Sequence, residues 1–297
     1  MMVGFGDWVQ AARPKTLGAA VTPVVVGSVI GWRLGGAVFD GGLFYCTLGS
    51  CLALQVATNW FNDVLDFQRG ADTAARVGPR RITAAGAVPP RAVMMAAVLM
   101  LGVAAALAVP LWVARGWPII VIGVPSLYFC FGYTGGPLPL AYRGLGELFV
   151  ILFFGLVAVT GSAFVQSGVW HVEALVAGLQ TGCLSTVLIA INNLRDREED
   201  ARTGKRTLAV RYGEVWARGE ITLLFVVAYG LGFFWLAQGE RAVVFASVLP
   251  AMLGSVIVRR VRASPPGPVY NRLLAMSGAH LLLFALVFCV TYGTRWG

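Results

Sequence analysis

The chain has 297 residues, of which 58% are hydrophobic and only 12% charged, with a mean hydropathy of +0.75. Soluble domains carry about a quarter charged residues, so this composition excludes one and points to a chain that lives in lipid. The net charge of +9 comes with no basic, aromatic-studded soluble stretch, which argues against nucleic acid as a partner.

Residues 1–14 read as a short amphipathic lead-in, with Phe5, Trp8 and Val9 set against Asp7, Gln10 and Arg13. The Arg13-Pro14-Lys15-Thr16 stretch then opens the first apolar run, with Pro14 suited to a first helical turn. Arg13 and Lys15 suit either a topology anchor or charges leaning toward an anionic ligand. A spanning helix needs about 20 apolar residues. Nine candidate runs follow, near 15–33, 43–62, 91–109, 117–133, 146–166, 173–193, 219–237, 241–258 and 273–292. The expectation is an all-α integral membrane protein, a bundle of nine transmembrane helices in a single domain over residues 1–297. All but four of the 23 Lys and Arg fall on the side of the amino terminus, the exceptions being Arg33, Arg115, Arg241 and Arg295. The positive-inside rule then places the amino terminus in the cytoplasm and the carboxyl terminus outside.

The second run ends in Asn59-Trp-Phe-Asn62-Asp63-Val-Leu-Asp66, with Asp72 after Gly70. On a helix Asn59, Asp63 and Asp66 share one face, because residues three and four apart are neighbours. A polar loop with Arg69, Arg76, Arg80 and Arg81 leads to the third run. The fourth run finishes in aromatics, Tyr128, Phe129, Phe131 and Tyr133, and Tyr142-Arg143-Gly-Leu-Gly-Glu147 opens the fifth with a charge pair. The sixth run repeats the acidic arrangement as Asn192-Asn193-Leu-Arg-Asp196-Arg-Glu-Glu-Asp200, followed by Lys205 and Arg206. The chain therefore reads as two loosely repeated Asp-rich halves, about 15–133 and 146–237, plus C-terminal helices. The last three runs carry no acid within the bilayer and read as scaffold. Cys46, Cys51, Cys130, Cys183 and Cys289 suit small packing residues, and His171 and His280 are isolated without metal-ligand spacing. No cleavable signal peptide is expected.

Carboxylates at the edge of a low-dielectric bundle are costly unless paired, bound to metal or protonated, so intramembrane acids are functional candidates. Mg²⁺ meets that cost, since it prefers oxygen ligands and is held by a few carboxylates together with substrate phosphates. Lys205, Arg206 and Arg81 could meet the charge of a diphosphate, and Asn59, Asn62 and Asn193 could bind metal or phosphate without adding charge. The reaction that fits is ionisation of an allylic diphosphate, with the carbocation kept in a dry cavity under aromatic faces, Phe149, Phe153 and Phe154 among them. A secondary transporter with a duplicated acidic site is the reading from another class, although transporters place such groups near the bilayer midplane.

These residues resemble the UbiA superfamily of intramembrane prenyltransferases over nearly the whole chain. Asn62-Asp63-x-x-Asp66 is similar to the first motif of that family, with Asp72 in the place of its later Asp, and Asp196-x-x-x-Asp200 to the second. Trp60-Phe61 stand where the resemblance leads to smaller residues. The stretches Arg13–Leu17, Tyr133-Thr-Gly-Gly-Pro, Tyr142–Glu147, Asn192–Asp196 and Gly204–Gly213 resemble the branch acting on 1,4-dihydroxy-2-naphthoate. The resemblance implies Mg²⁺-dependent transfer of a polyprenyl group from polyprenyl diphosphate to the naphthoate, with loss of CO₂ and diphosphate. It implies Asp63, Asp66, Asp196 and Asp200 as catalytic metal ligands, joined by Asp72. It implies Asn59, Asn62, Arg81, Asn193, Lys205 and Arg206 as diphosphate contacts, with Tyr133 and Arg143 near the acceptor or the carbocation. Other acceptors, such as 4-hydroxybenzoate, homogentisate, haem or a glycerol phosphate, would leave fold and motifs unchanged. The expected setting is the cytoplasmic (inner) membrane, multi-pass, with the site open to the cytoplasm and no obligate protein partner.

Overall fold

The computed structural model describes residues 4–71, 78 and 81–294, and Asp72, Arg76, Arg80 and Arg295 lie outside the described residues. Every regular element among the described residues is helical. In chain order they are α1 (Phe5–Ala11), α2 (Pro14–Gly35), α3 (Gly41–Gln68), α4 (Pro90–Arg115) and α5 (Trp117–Gly132). Then come α6 (Gly146–Ser167), α7 (Val172–Arg195), the short α8 (Arg197–Arg202), α9 (Leu208–Ala237), α10 (Arg241–Ala263) and α11 (Tyr270–Gly293).

Among the described residues, eight helices are long and apolar enough to cross a membrane, and α5 adds a shorter apolar helix of 16 residues. At about 1.5 Å per residue α5 is about 24 Å long, short of a hydrocarbon core of about 30 Å. Its limits are chemical. Gly116, at φ 73°, breaks the helix from α4, and Gly135 and Gly136 follow its other end. The nine expected runs thus correspond, among the described residues, to eight helices long and apolar enough to span and this shorter one. The amphipathic lead-in becomes α1, whose Trp8 packs edge-on against Trp60 of α3, ring centroids 5.2 Å apart.

Close helix contact in lipid depends on small residues. At the α2–α6 crossing a Cβ on Gly27 would lie 2.2 Å from the Val159 carbonyl oxygen, and one on Gly31 2.2 Å from that of Ala163. The α6–α7 crossing is as tight, with Gly155 packed on the backbone of Gly178 and Gly182. There α6 widens into a π-helical turn over Ile151–Val157. The α7 helix is the centre of the bundle, with 78% of its apolar window buried and Ile191 and Leu194 fully so.

The far end of the bundle, where α2, α4, α6 and α11 finish, is closed by polar ties. Arg33 pairs with Glu240 at 2.6 Å and covers the Tyr292 ring at 4.2 Å. Arg115 donates to the carbonyls of Val165 (2.7 Å) and Gln166 (3.1 Å) at the end of α6. Such donors satisfy carbonyls that a helix C-terminus leaves unpaired.

Candidate active site

A cavity of about 360 Å³ opens among α2, α3, α5, α6 and α7, at the end where α3, α5 and α7 finish and α2 and α6 begin. Its rim is polar, formed by Arg13, Asn59, Asn62, Asp66, Arg81, Asn192, Asn193, Asp196, Asp200 and Lys205. Below the rim come Phe129, Tyr133, Phe149, Phe153 and Phe154, and deeper still Leu111, Ile119, Ile122 and Val165. Ile119 precedes Phe129 by ten positions on α5, a depth of about 15 Å at the helical rise.

Asp66 is the hub of the rim and is 3% exposed. Its carboxylate accepts from Arg81 at 3.1 Å, from Lys205 at 3.1 Å and from the Tyr142 hydroxyl at 2.9 Å. The Lys205 contact joins positions 139 apart in sequence, so the two Asp-rich stretches meet at this residue. The Tyr142 ring also carries the Arg69 guanidinium at 4.4 Å and the Lys205 ammonium at 5.2 Å. Burial, and then the neighbouring Asp66 charge, push the Tyr142 phenol above its ordinary range, so it stays protonated and donates.

Asp63 does a different job. It is 2% exposed but absent from the cavity wall, and its carboxylate accepts from the backbone N–H of Ile82 (3.2 Å) and Thr83 (3.0 Å). It therefore pins the turn that follows Arg81. The second stretch is arranged around a residue that spacing alone did not single out. Arg195, 5% exposed, grips Asp196 through Nε (2.7 Å) and Nη2 (2.6 Å), and also bonds Asn271 (2.7 Å) and Asn192 (2.9 Å). The signal was in plain view: a basic residue beside a buried acid on the last turn of a core helix. Asp200 lines the rim from α8, and its carbonyl accepts from the Lys205 N–H at 2.9 Å, which closes the loop that delivers the ammonium.

The asparagines divide. Asn62 accepts from the Thr134 hydroxyl, and Asn59 donates to the Ala12 carbonyl at 2.9 Å. That bond ties α3 to the elbow between α1 and α2, where Arg13 holds a left-handed φ of 53°. Among the described residues no other non-glycine adopts a positive φ, and such strain clusters at functional sites. Asn193 donates to Glu147 at 2.7 Å. Tyr133 is in the wall. Arg143 and Arg206 are exposed and off the wall; the Arg143 carbonyl accepts from Arg211 at 2.7 Å, and the expected Arg143–Glu147 pair is replaced by Asn193–Glu147. Trp60 and Phe61 turn away from the cavity, Phe61 against Phe131 at 5.6 Å. The aromatic layer is formed by Phe129, Phe149 and Phe153, with Phe149 and Phe153 stacked at 4.3 Å.

Among the described residues no three His, Cys, Asp or Glu side chains converge closely enough to hold a metal by themselves. The donors present are hard oxygens from two separate walls, Asn62 and Asp66 on α3 and Asn192, Asp196 and Asp200 on the second stretch. Mg²⁺ is usually bound through one or two carboxylates plus substrate phosphates, and not by a dedicated all-protein cage. This donor set fits Mg²⁺ shared with a phosphate ligand.

Comparison with known proteins gives a consistent picture. The model of the UbiA prenyltransferase family matches residues 20–279. The chain is 36% identical over 287 residues to the 1,4-dihydroxy-2-naphthoate octaprenyltransferase of Mycobacterium tuberculosis (strain ATCC 25618 / H37Rv), with 96% of each chain covered. It is 36% identical over 250 residues to the 1,4-dihydroxy-2-naphthoate octaprenyltransferase of Bacillus subtilis (strain 168), covering 80% of this chain and 78% of the other. The fold is similar to that of a UbiA homolog from Archaeoglobus fulgidus bound to GPP and Mg²⁺, at a TM-score of 0.71 and 14% identity, covering 97% of this chain and 100% of that one.

Proposed function

The chain belongs to the UbiA prenyltransferase family, and from that premise we propose that it transfers a polyprenyl group from its diphosphate to 1,4-dihydroxy-2-naphthoate, releasing CO₂ and diphosphate. The observation that carries this reading is the meeting of Asp66, Arg81 and Lys205 at the polar mouth of a cavity whose depth is apolar and aromatic. A diphosphate head belongs with the cations and a polyprenyl tail with the depth. The relatives named above act, by name, on the naphthoate, which favours that acceptor over other phenols.

In this reading Lys205 and Arg81 release Asp66 and turn to the diphosphate oxygens, where charge grows as the allylic C–O bond breaks. Preorganised donors aimed at developing charge are the largest single contribution in many enzymes. Asp66, Asp196 and Asp200, with Asn62 and Asn192, would hold Mg²⁺, which when bound supplies Lewis-acid stabilisation of the leaving diphosphate. Asp63 serves from behind, by fixing the turn that carries Arg81. Phe129, Phe149 and Phe153 present π faces to the allylic cation just below the rim. The apolar walls keep out water that would otherwise trap it.

The reading includes orientation. The polar mouth lies at the end rich in Lys and Arg, which supports a cytoplasmic amino terminus and a site opening to the cytoplasm in the cytoplasmic membrane. The Asp-rich halves, about 15–133 and 146–237, would work as one domain with α10 and α11 as scaffold. The carboxylates sit at the ends of their helices and not near the midplane, which speaks against transport.

The test uses purified protein, Mg²⁺ and a polyprenyl diphosphate, offering 1,4-dihydroxy-2-naphthoate and 4-hydroxybenzoate separately. The expected result is prenylated product and CO₂ with the naphthoate alone. Product from the benzoate instead would refute the acceptor assignment and keep the prenyl-transfer chemistry.

A further inference from the structure

One buried carboxylate in the cavity wall has no part in the diphosphate machinery. Glu147 lies in the first turn of α6, is 3% exposed and lines the cavity. Its Oε1 accepts from Asn193 Nδ2 at 2.7 Å, and its Oε2 has no hydrogen-bond partner among the described residues. Leaving one oxygen of a buried carboxylate unsatisfied is costly, and such a group in a native structure calls for an explanation. The geometry around it is fixed. Asn193 holds one oxygen from the neighbouring helix, and Gly146 leaves room for Tyr133, whose hydroxyl would stand 2.8 Å from a Cβ at that position. The stacked Phe149 and Phe153 follow on the same helix.

We propose that Glu147 is the catalytic base for the phenolic acceptor, taking the proton of the hydroxyl next to the ring carbon that is alkylated. This rests on the prenyl-transfer reading above. The electron pair for the new C–C bond comes from the ring enol, and the allylic C–O bond breaks with its pair leaving on the diphosphate. As the ring carbon that bears the carboxylate becomes quaternary, the neighbouring O–H proton passes to Glu147 Oε2 and a ketone forms. Loss of CO₂ returns the carbon–carboxylate pair to the ring as an enolate, and Glu147 gives the proton back to that oxygen. Glu147 ends as it began, and the charge lost by the naphthoate leaves on the diphosphate. Asn193 is then a positioning residue. By occupying Oε1 it leaves Oε2 toward the substrate, a different role from the diphosphate contact its motif suggests.

The experiment compares wild type with Glu147→Gln, Glu147→Asp and Asn193→Ala in detergent with Mg²⁺. It measures binding of geranyl diphosphate, turnover with 1,4-dihydroxy-2-naphthoate, and the solvent deuterium isotope effect on turnover. Loss of a general base costs about 10²–10⁴-fold, so Glu147→Gln should lose that much in kcat and Glu147→Asp should recover part of it. Geranyl diphosphate affinity should stay within about threefold of wild type, since that substrate is not what Glu147 serves. The isotope effect of the wild type should change in Glu147→Gln and be kept in Asn193→Ala. Near-wild-type turnover in Glu147→Gln, or loss of diphosphate binding together with turnover, would overturn the proposal. The wild-type assay separates the two claims. If wild type takes another phenol in place of the naphthoate, the acceptor assignment fails and the same comparison with that phenol still decides Glu147. If it prenylates no phenol, both fail.

Discussion

Asp63 offers a sharp test, because the first acidic motif suggests a metal ligand and the structure shows a carboxylate facing two backbone amides. Asp63→Ala would leave the buried N–H groups of Ile82 and Thr83 without an acceptor. An unsatisfied buried donor costs about 1–3 kcal/mol, so the pair amounts to about 2–6 kcal/mol against the turn after Arg81. At about 1.4 kcal/mol per decade, each amide should exchange about 5–150-fold faster. Asp63→Asn keeps one carbonyl oxygen and should show roughly half the effect in free energy. The assay is hydrogen–deuterium exchange with mass spectrometry on residues 81–89 in lipid nanodiscs, without metal or substrate. Unchanged protection in Asp63→Ala would refute the argument and return Asp63 to the ligand-binding set.

Asp66→Ala should abolish product formation while the protein still inserts and elutes as a folded bundle; measurable turnover would remove Asp66 from the centre of the site. Lys205→Met removes one charge-assisted contact to the diphosphate, worth about 1.5–3 kcal/mol, and should weaken diphosphate binding by about 10–150-fold in a titration. Chelation with EDTA should stop turnover and added Mg²⁺ should restore it, with full activity in chelator as the contrary result. Gly31→Val puts a branched side chain where a Cβ already lies 2.2 Å from the Ala163 carbonyl oxygen, so the α2–α6 crossing must open. Overpacking costs about 1–3 kcal/mol, and a thermal unfolding midpoint equal to that of wild type would show that the crossing is looser than described.

The helices were legible because a run of about 20 apolar residues in lipid has few alternatives to a helix. The short α5 was legible too, since the apolar run near 117–133 differs from the helix Trp117–Gly132 by one residue, and glycines lie beyond both ends. Within the site, spacing picked out Asn59, Asn62 and Asp66 on α3 and Asn193, Asp196 and Asp200 across the α7–α8 junction, and all six line the cavity. It could not separate Asp63 from Asp66, since both lie near that face and only the path of the 81–89 turn decides which one meets backbone and which meets Lys205. Arg143 and Arg206 look like ligand-binding cations in a linear motif, but their side chains face solvent once the loops are placed. Glu147 was read as half of a local charge pair. Its partner, Asn193, lies 46 positions away, a contact that only the packing of α6 on α7 creates.

That packing has one more consequence. The π-helical turn at Ile151–Val157 is equivalent to a single extra residue in an otherwise regular helix. It offsets the rotation of the segment after it from that of the segment before it. The upper segment aims Glu147 and Phe149 into the mouth, and the lower aims Ala158, Gly161 and Val165 into the depth. One residue of an α-helix is about 100° of rotation, so deleting one residue from this turn would swing the lower segment away from the cavity while leaving the upper one in place. One turn thus sets how the wall at the mouth and the wall in the depth face the same cavity.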